Sequence, residues 1–144
     1  MDLNLPEAPK KAGAYMPVKE FGGNLAYVSG NLPVIDGNMI TGKLGADCSF
    51  EDGVKAAEWC TLNILATLKA HFGDLTRIKK FIKMTVFVAC VPEFTQHPQI
   101  ANASTELLIK AFGEEKGCPS RSAMGVSSLP LNAAVEIEVM VEVE

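Results

Sequence analysis

An arginine and two glutamates near the end of the sequence are the residues best suited to chemistry. Arg121 lies in the stretch Pro119-Ser-Arg-Ser122, and Glu136 and Glu138 lie in the alternating segment that begins at Val135. A guanidinium can hold a planar carboxylate through two parallel hydrogen bonds, and a carboxylate can accept a proton. The alternative interpretation is a structural cross-strand ion pair, which contributes about 0.2–1 kcal/mol to the stability of the fold.

The alternation of this segment predicts a strand. Valine and isoleucine occupy the odd positions from Val135 to Val143, and glutamate or methionine occupies the even ones, so one face lies in a core and the other in water. Residues 121–127 predict a second strand, joined to the first as a hairpin by a turn over residues 127–132. A turn centred between residues 128 and 129 places Arg121 opposite Glu136, and a centre one residue later places it opposite Glu138.

The rest of the chain predicts an α+β fold with the order β-β-β-α-β-α-β-β. Residues 13–20, 24–31 and 33–41 are expected strands, with a tight turn at Asp36-Gly37, and residues 81–91 form an apolar central strand. Helices are expected from a cap at Ser49 to Phe72 and over residues 98–112. We expect one mixed sheet with both helices on one face, in a single domain at 13–144 after an extended lead-in at 1–12. The glutamate-bearing face is then bare, and we expect copies of the chain to cover it.

Composition excludes several classes of function. A chain of 144 residues with 48% hydrophobic and 21% charged residues suits one globular domain. The net charge of −4 argues against a nucleic-acid surface. No apolar run is long enough to span a membrane and no export signal is visible, so a cytoplasmic location is expected. Four widely spaced cysteines and two histidines suggest reduced thiols and no metal site.

Several short motifs, in order, resemble the Rid family, the reactive intermediate deaminases also called YjgF-like or endoribonuclease L-PSP proteins. They begin at about residue 12 and extend to the C-terminal strand. The motifs are Ala12-Gly-Ala-Tyr15, Val28-Ser-Gly-Asn-Leu-Pro33, Met84-Thr-Val-Phe-Val88, Asn102-Ala103, Pro119-Ser-Arg-Ser122 and Val135-Glu-Ile-Glu-Val139. The resemblance implies a chorismate-mutase-like fold. It also implies a homotrimer whose sheets form an inner barrel, with three clefts between subunits.

The same resemblance implies hydrolytic deamination of small 2-imino or 2-enamino acids, without a cofactor or metal. In that interpretation Arg121 anchors the substrate carboxylate and Glu136 activates water, with Glu138 as the reserve candidate. Substrate binding is then assigned to five residues: Tyr15, Ser29, Gly30, Asn31 and Asn102. A partner of this kind is a small carboxylate-bearing metabolite.

The sequence also departs from the family pattern around the expected cleft. Ala123 replaces a cysteine found in many members, Asn31 replaces a glutamine, and Ala14 replaces a proline. The segment 114–118 is longer than in the compact deaminases. These departures leave two other functions open: a non-catalytic trimer that binds a small carboxylate, and a structural trimer with a vestigial cleft.

Overall fold

The computed structural model describes residues 3–144. Residues 3–17 contain no helix or strand. The strands are β1 (Val18–Phe21), β2 (Leu25–Asn31), β3 (Val34–Ile35), β4 (Asn38–Met39), β5 (Ile78–Ala89), β6 (Ser120–Val126) and β7 (Val135–Val143). The helices are α1 (Phe50–Phe72), α2 (His97–Phe112) and the short α3 (Glu114–Gly117), with 3-10 turns at Leu75–Arg77 and Pro130–Asn132.

Five strands form one mixed sheet in the order β1-β2-β7-β5-β6, and β3 and β4 form a separate small ribbon. β5 and β6 are parallel and are joined through α2, whereas β7 is antiparallel to both of its neighbours, β2 and β5. β2 and β5 are therefore parallel to each other, with β7 between them and α1 in their connection. Both connections are strand–helix–strand crossovers, which explains why one sheet carries two helices.

Local sequence explains the bounds of α1. The Ser49 hydroxyl accepts a hydrogen bond from the Asp52 N–H at 3.1 Å, which satisfies one of the free donors of the first turn. Gly73 ends the helix at φ 86°, a left-handed conformation that favours glycine, and its N–H bonds to the Lys69 carbonyl at 2.8 Å. The predicted cap and helix end are confirmed.

The core lies between the helices and one face of the sheet. The odd positions of β7 from Val135 to Val143 are all buried there, and α1 and α2 pack on the same face and against each other. Burial of such a side chain contributes about 1.5–3 kcal/mol, so this one strand stabilises the fold substantially. The predicted α+β class, mixed sheet and helical face are confirmed.

The predicted hairpin between residues 121–127 and β7 is wrong. β6 pairs in parallel with β5, and β5 lies between β6 and β7. The Cα partner of Arg121 is Met84, and the Cα partners of Glu136 and Glu138 are Phe87 and Thr85. Neither predicted register occurs, because the connection passes over the end of β5 to reach the far side of that strand.

Three smaller predictions also change. The first expected strand, 13–20, is wrong at its beginning, because residues 13–17 lie in no strand and β1 is Val18–Phe21. The third expected strand divides at Asp36-Gly37, whose φ values of 52° and 78° form the expected tight turn between β3 and β4. The polar link 114–117 is the single helical turn α3. No helix among residues 3–144 is long and apolar enough to cross a membrane.

Candidate functional site

Arg121 is held at the exposed edge of the sheet by one face of α2. Its Nη1 donates to Asn102 Oδ1 and to Thr105 Oγ1, each at 3.0 Å, and its Nη2 donates to the Pro98 carbonyl at 3.4 Å. A guanidinium has five N–H donors, so the Nε–H and one Nη2–H have no acceptor among residues 3–144. No carboxylate of residues 3–144 lies within 4.0 Å of the Arg121 guanidinium. The side chain is thus a fixed cation with donors available to a ligand.

Glu136 is a half-buried carboxylate on the other face of the sheet. Burial raises the pKa of its carboxyl group above the ordinary value of 4.5, and the negative charge of Glu138 raises the pKa further. Such a group accepts a proton more readily at neutral pH than an exposed glutamate does. Glu138, the reserve candidate, is exposed.

A β-bulge in β2 brings Gly30 against Glu136. Val28 pairs with Val139 and Asn31 pairs with Ile137, so Ser29 and Gly30 together face one residue of β7. A Cβ on Gly30 would lie 2.9 Å from Cδ of Glu136 and closer still to its Oε2. The missing side chain therefore lets the Glu136 carboxylate lie directly on the β2 backbone.

The other predicted binding residues line a cavity of about 190 Å³ beside this bulge, together with residues 9–12 of the lead-in. Tyr15 is 42% exposed, and its hydroxyl accepts a hydrogen bond from the Ala12 N–H at 3.3 Å. Ser29 Oγ donates to the Met16 carbonyl at 2.6 Å, and Asn31 Nδ2 donates to the Ser29 carbonyl at 3.0 Å. Tyr15, Ser29, Gly30 and Asn31 therefore line one cavity, and Gly30 connects that cavity to Glu136.

The structure divides the predicted site residues into two groups. Arg121 and Asn102 form one, and Glu136 belongs to the other, with the cavity residues. Glu136 and Arg121 are on opposite faces, separated by β5 and by three residue positions along the strands. At about 4.8 Å between strands and about 3.3 Å per residue, their Cα atoms are roughly 14 Å apart. One chain does not bring the arginine and the glutamate together.

Sequence reasoning missed two residues that position these groups. Thr105 supports Arg121 from the same face of α2 as Asn102, and the three-residue spacing of the two polar side chains is a signal for that face. Asn63 is buried in α1, and its amide donates to the carbonyls of Leu32 at 2.9 Å and Val34 at 2.7 Å. These two bonds fix the segment after the bulge, and nothing in the sequence around Asn63 indicates its partners.

Fold and site together define a chorismate-mutase-like α+β domain. The chain belongs to the YjgF family, whose model, described as "YjgF/chorismate_mutase-like, putative endoribonuclease", matches residues 1–143. It is 40% identical over 143 residues to Protein TCP17 of Trypanosoma cruzi, a match that covers 99% of this chain and 89% of the relative. The resemblance found in the sequence is confirmed.

Two further comparisons bear on structure and activity. A crystal structure of a protein of unknown function from Agrobacterium tumefaciens superposes with a TM-score of 0.90 at 41% identity, covering 99% of this chain and 88% of that one. A 2-iminobutanoate/2-iminopropanoate deaminase of Dermatophagoides farinae is 28% identical over 144 residues, covering 99% of this chain and 95% of the relative.

Proposed function

We propose that the protein hydrolyses small 2-imino or 2-enamino acids to 2-oxo acids and ammonia, in clefts between the subunits of a homotrimer. The observation that carries the proposal is the Arg121 guanidinium, which three neutral acceptors fix at a sheet edge while two of its donors have no acceptor among residues 3–144. A planar carboxylate is the group that such a fork binds best. The deaminase named among the relatives supports the same substrate class.

The reaction needs a carboxylate anchor and an acceptor for one proton. Arg121 binds the substrate carboxylate, which places the neighbouring C=N carbon over the second group of residues. Water attacks that carbon and passes a proton to Glu136, which leaves a carbinolamine. Glu136 returns this proton to the amine nitrogen, ammonia leaves as the C–N bond breaks, and the hydroxyl loses its proton to give the 2-oxo acid. Protonation of the imine makes its own carbon electrophilic, so these residues require no cofactor for the step.

The separation of the two groups supports the proposed assembly. Because Arg121 and Glu136 lie on opposite faces of one sheet, a complete site requires Arg121 of one copy to meet the Glu136 group of another. The glutamate-bearing face also exposes large apolar side chains, with Tyr27 56% and Met124 40% exposed. Covering that face with further copies removes this apolar surface from water.

The test is an assay in which a threonine dehydratase supplies 2-iminobutyrate and release of 2-oxobutyrate is followed. Arg121→Ala should cost about 2–5 kcal/mol of transition-state binding, and Arg121→Lys should not restore it, because an ammonium cannot replace the fork. Glu136→Gln should lower turnover about 10²–10⁴-fold. Arg77→Lys is a matched control, since the Arg77 guanidinium donates to the Glu144 carbonyl away from the site.

Binding of 2-oxobutyrate, measured by calorimetry, separates catalysis from binding alone. Glu136→Gln should keep this binding, whereas Arg121→Ala should lose it. Tight binding by the unmodified protein without any turnover would instead identify a non-catalytic carboxylate-binding protein. If Glu138→Gln loses turnover and Glu136→Gln does not, the proton acceptor is Glu138.

A further inference from the structure

A second cavity, of about 470 Å³, lies where β5 and β6 end, beside the first turn of α2. Its walls include Cys90, which follows β5 directly, Gly125 near the end of β6, and His97, the first residue of α2. Arg121 is four residues before Gly125, about 13 Å along the strand. None of the residues assigned to the proposed deaminase site lines this cavity.

Cys90 and His97 form a pair in this cavity. The Cys90 Sγ and the His97 Nε2 are 3.5 Å apart, within hydrogen-bonding distance for sulfur. Gly125 makes the approach possible, because a Cβ on that residue would lie 2.7 Å from both atoms. Phe94 packs edge-on against the His97 ring at a centroid distance of 5.4 Å, which fixes the ring. The backbone N–H of Cys90 is bound to the Val126 carbonyl at 3.1 Å.

The surroundings of the pair favour a negatively charged reactant. Lys43 is the charged residue of the cavity wall, and no aspartate or glutamate contributes to that wall among the described residues. The N-terminus of α2 adds a partial positive charge, and Gln96, its cap residue, makes no side-chain hydrogen bond there. Burial raises the pKa of the Cys90 thiol, so the sulfur remains protonated at neutral pH and needs a base before it can react. The His97 imidazole is a base within reach of that proton.

We propose that Cys90 and His97 form a thiol-exchange site for an anionic low-molecular-weight disulfide. His97 Nε2 accepts the thiol proton while Sγ attacks one sulfur of the disulfide, forming a mixed disulfide on Cys90. The S–S bond of the reactant breaks, and its other half leaves as a thiolate that takes the proton from His97. The reactant disulfide is the oxidant, because its leaving half is reduced to a thiol for each Cys90 that enters a mixed disulfide.

The experiment uses the full chain carrying Cys118→Ser, which removes the exposed thiol. Glutathione disulfide is the anionic probe and cystamine the cationic one, and peptide mass spectrometry follows each cysteine over time. Cys48 and Cys60 are buried like Cys90, but their sulfurs contact the carbonyls of Ser49 and Val135 instead of a histidine. Cys90 should therefore form a mixed disulfide at least about tenfold faster than these two cysteines, and faster with glutathione disulfide than with cystamine.

Two variants separate the parts of the site. His97→Gln should slow exchange at Cys90 about tenfold or more with both probes, because no base remains next to Sγ. Lys43→Met should slow the reaction with glutathione disulfide and leave the reaction with cystamine unchanged or faster. Equal rates at Cys90 and Cys60 in the otherwise unmodified protein would overturn the proposal, and that comparison holds even if a variant fails to fold. An unchanged rate in a folded His97→Gln variant would overturn it as well.

Discussion

Gly30→Ala tests the arrangement of Gly30 and Glu136 with the smallest possible change. The φ angle of Gly30 is not in the left-handed region, so alanine fits the backbone without strain. The added Cβ would lie 2.9 Å from Cδ of Glu136, whereas carbon atoms in contact prefer about 3.5–4.0 Å. The carboxyl group must therefore move by about 0.6 to 1 Å.

A displacement of that size has a predictable effect on rate. A catalytic group misplaced by about 1 Å can lose roughly 10²-fold in turnover, so Gly30→Ala should lower the hydrolysis of 2-iminobutyrate by about ten- to one-hundredfold. Stability should change little, because the end of a flexible side chain moves and the backbone does not. The measurements are the coupled assay for turnover, calorimetry for the melting temperature and light scattering for assembly.

A double-mutant cycle of Gly30→Ala and Glu136→Gln tests whether the two residues affect turnover together. If Gly30→Ala acts through the Glu136 carboxylate, it should add almost nothing to the loss already caused by Glu136→Gln. Equal and additive losses in both backgrounds would show that Gly30 affects turnover in another way. Full activity of Gly30→Ala, combined with a strong loss in Glu136→Gln, would show that the position of the carboxylate does not matter.

Three further predictions concern stability and the hold on Arg121. The raised pKa of Glu136 means that the folded state binds this proton more tightly than the unfolded chain, so stability falls as pH rises above 4.5 through the raised value. In thermal melts at a series of pH values, the stability of Glu136→Gln should fall less with rising pH than that of the unmodified protein. If the two proteins lose stability identically with pH, the prediction is contradicted. Asn102→Ala removes one hydrogen-bond acceptor of Arg121. It should raise KM roughly fivefold, which corresponds to about 1 kcal/mol of substrate binding, and leave kcat nearly unchanged. A loss confined to kcat would argue against a role of Asn102 in positioning Arg121. Asn63→Leu should lower the urea unfolding free energy by about 1–3 kcal/mol, because the carbonyls of Leu32 and Val34 lose their donor. Asn24→Leu removes an exposed hydrogen bond and should change this free energy by less than about 0.5 kcal/mol.

Local patterns in the sequence predict the elements well because local forces determine them. The Ser49 cap, the Gly73 stop and the alternation from Val135 each depend on residues a few positions apart. The class of fold follows from the order of these elements. The motifs also identify the residues of the candidate site, but they do not predict which of these residues are close together in the fold.

The failed hairpin shows where local reasoning ends. Tight hairpins have connections of about two to five residues, but eight residues, 127–134, separate β6 from β7. That length is sufficient to cross the end of β5, about 10 Å over two strand spacings. The reason for glycine at position 30 is equally non-local, because the contact with Glu136 exists only once β2 and β7 are paired in the observed register.

The position of β7 inside the sheet has a consequence for folding during synthesis. β7 is the last strand in chain order, yet it joins the β1–β2 pair to the β5–β6 pair. During synthesis on a ribosome those two pairs have no sheet contact until residues 135–143 have emerged. Their unpaired strand edges and the apolar helical faces stay available to chaperones or to aggregation until β7 has left the ribosome. Folding should therefore complete late, in one step, when the final strand inserts between its two neighbours.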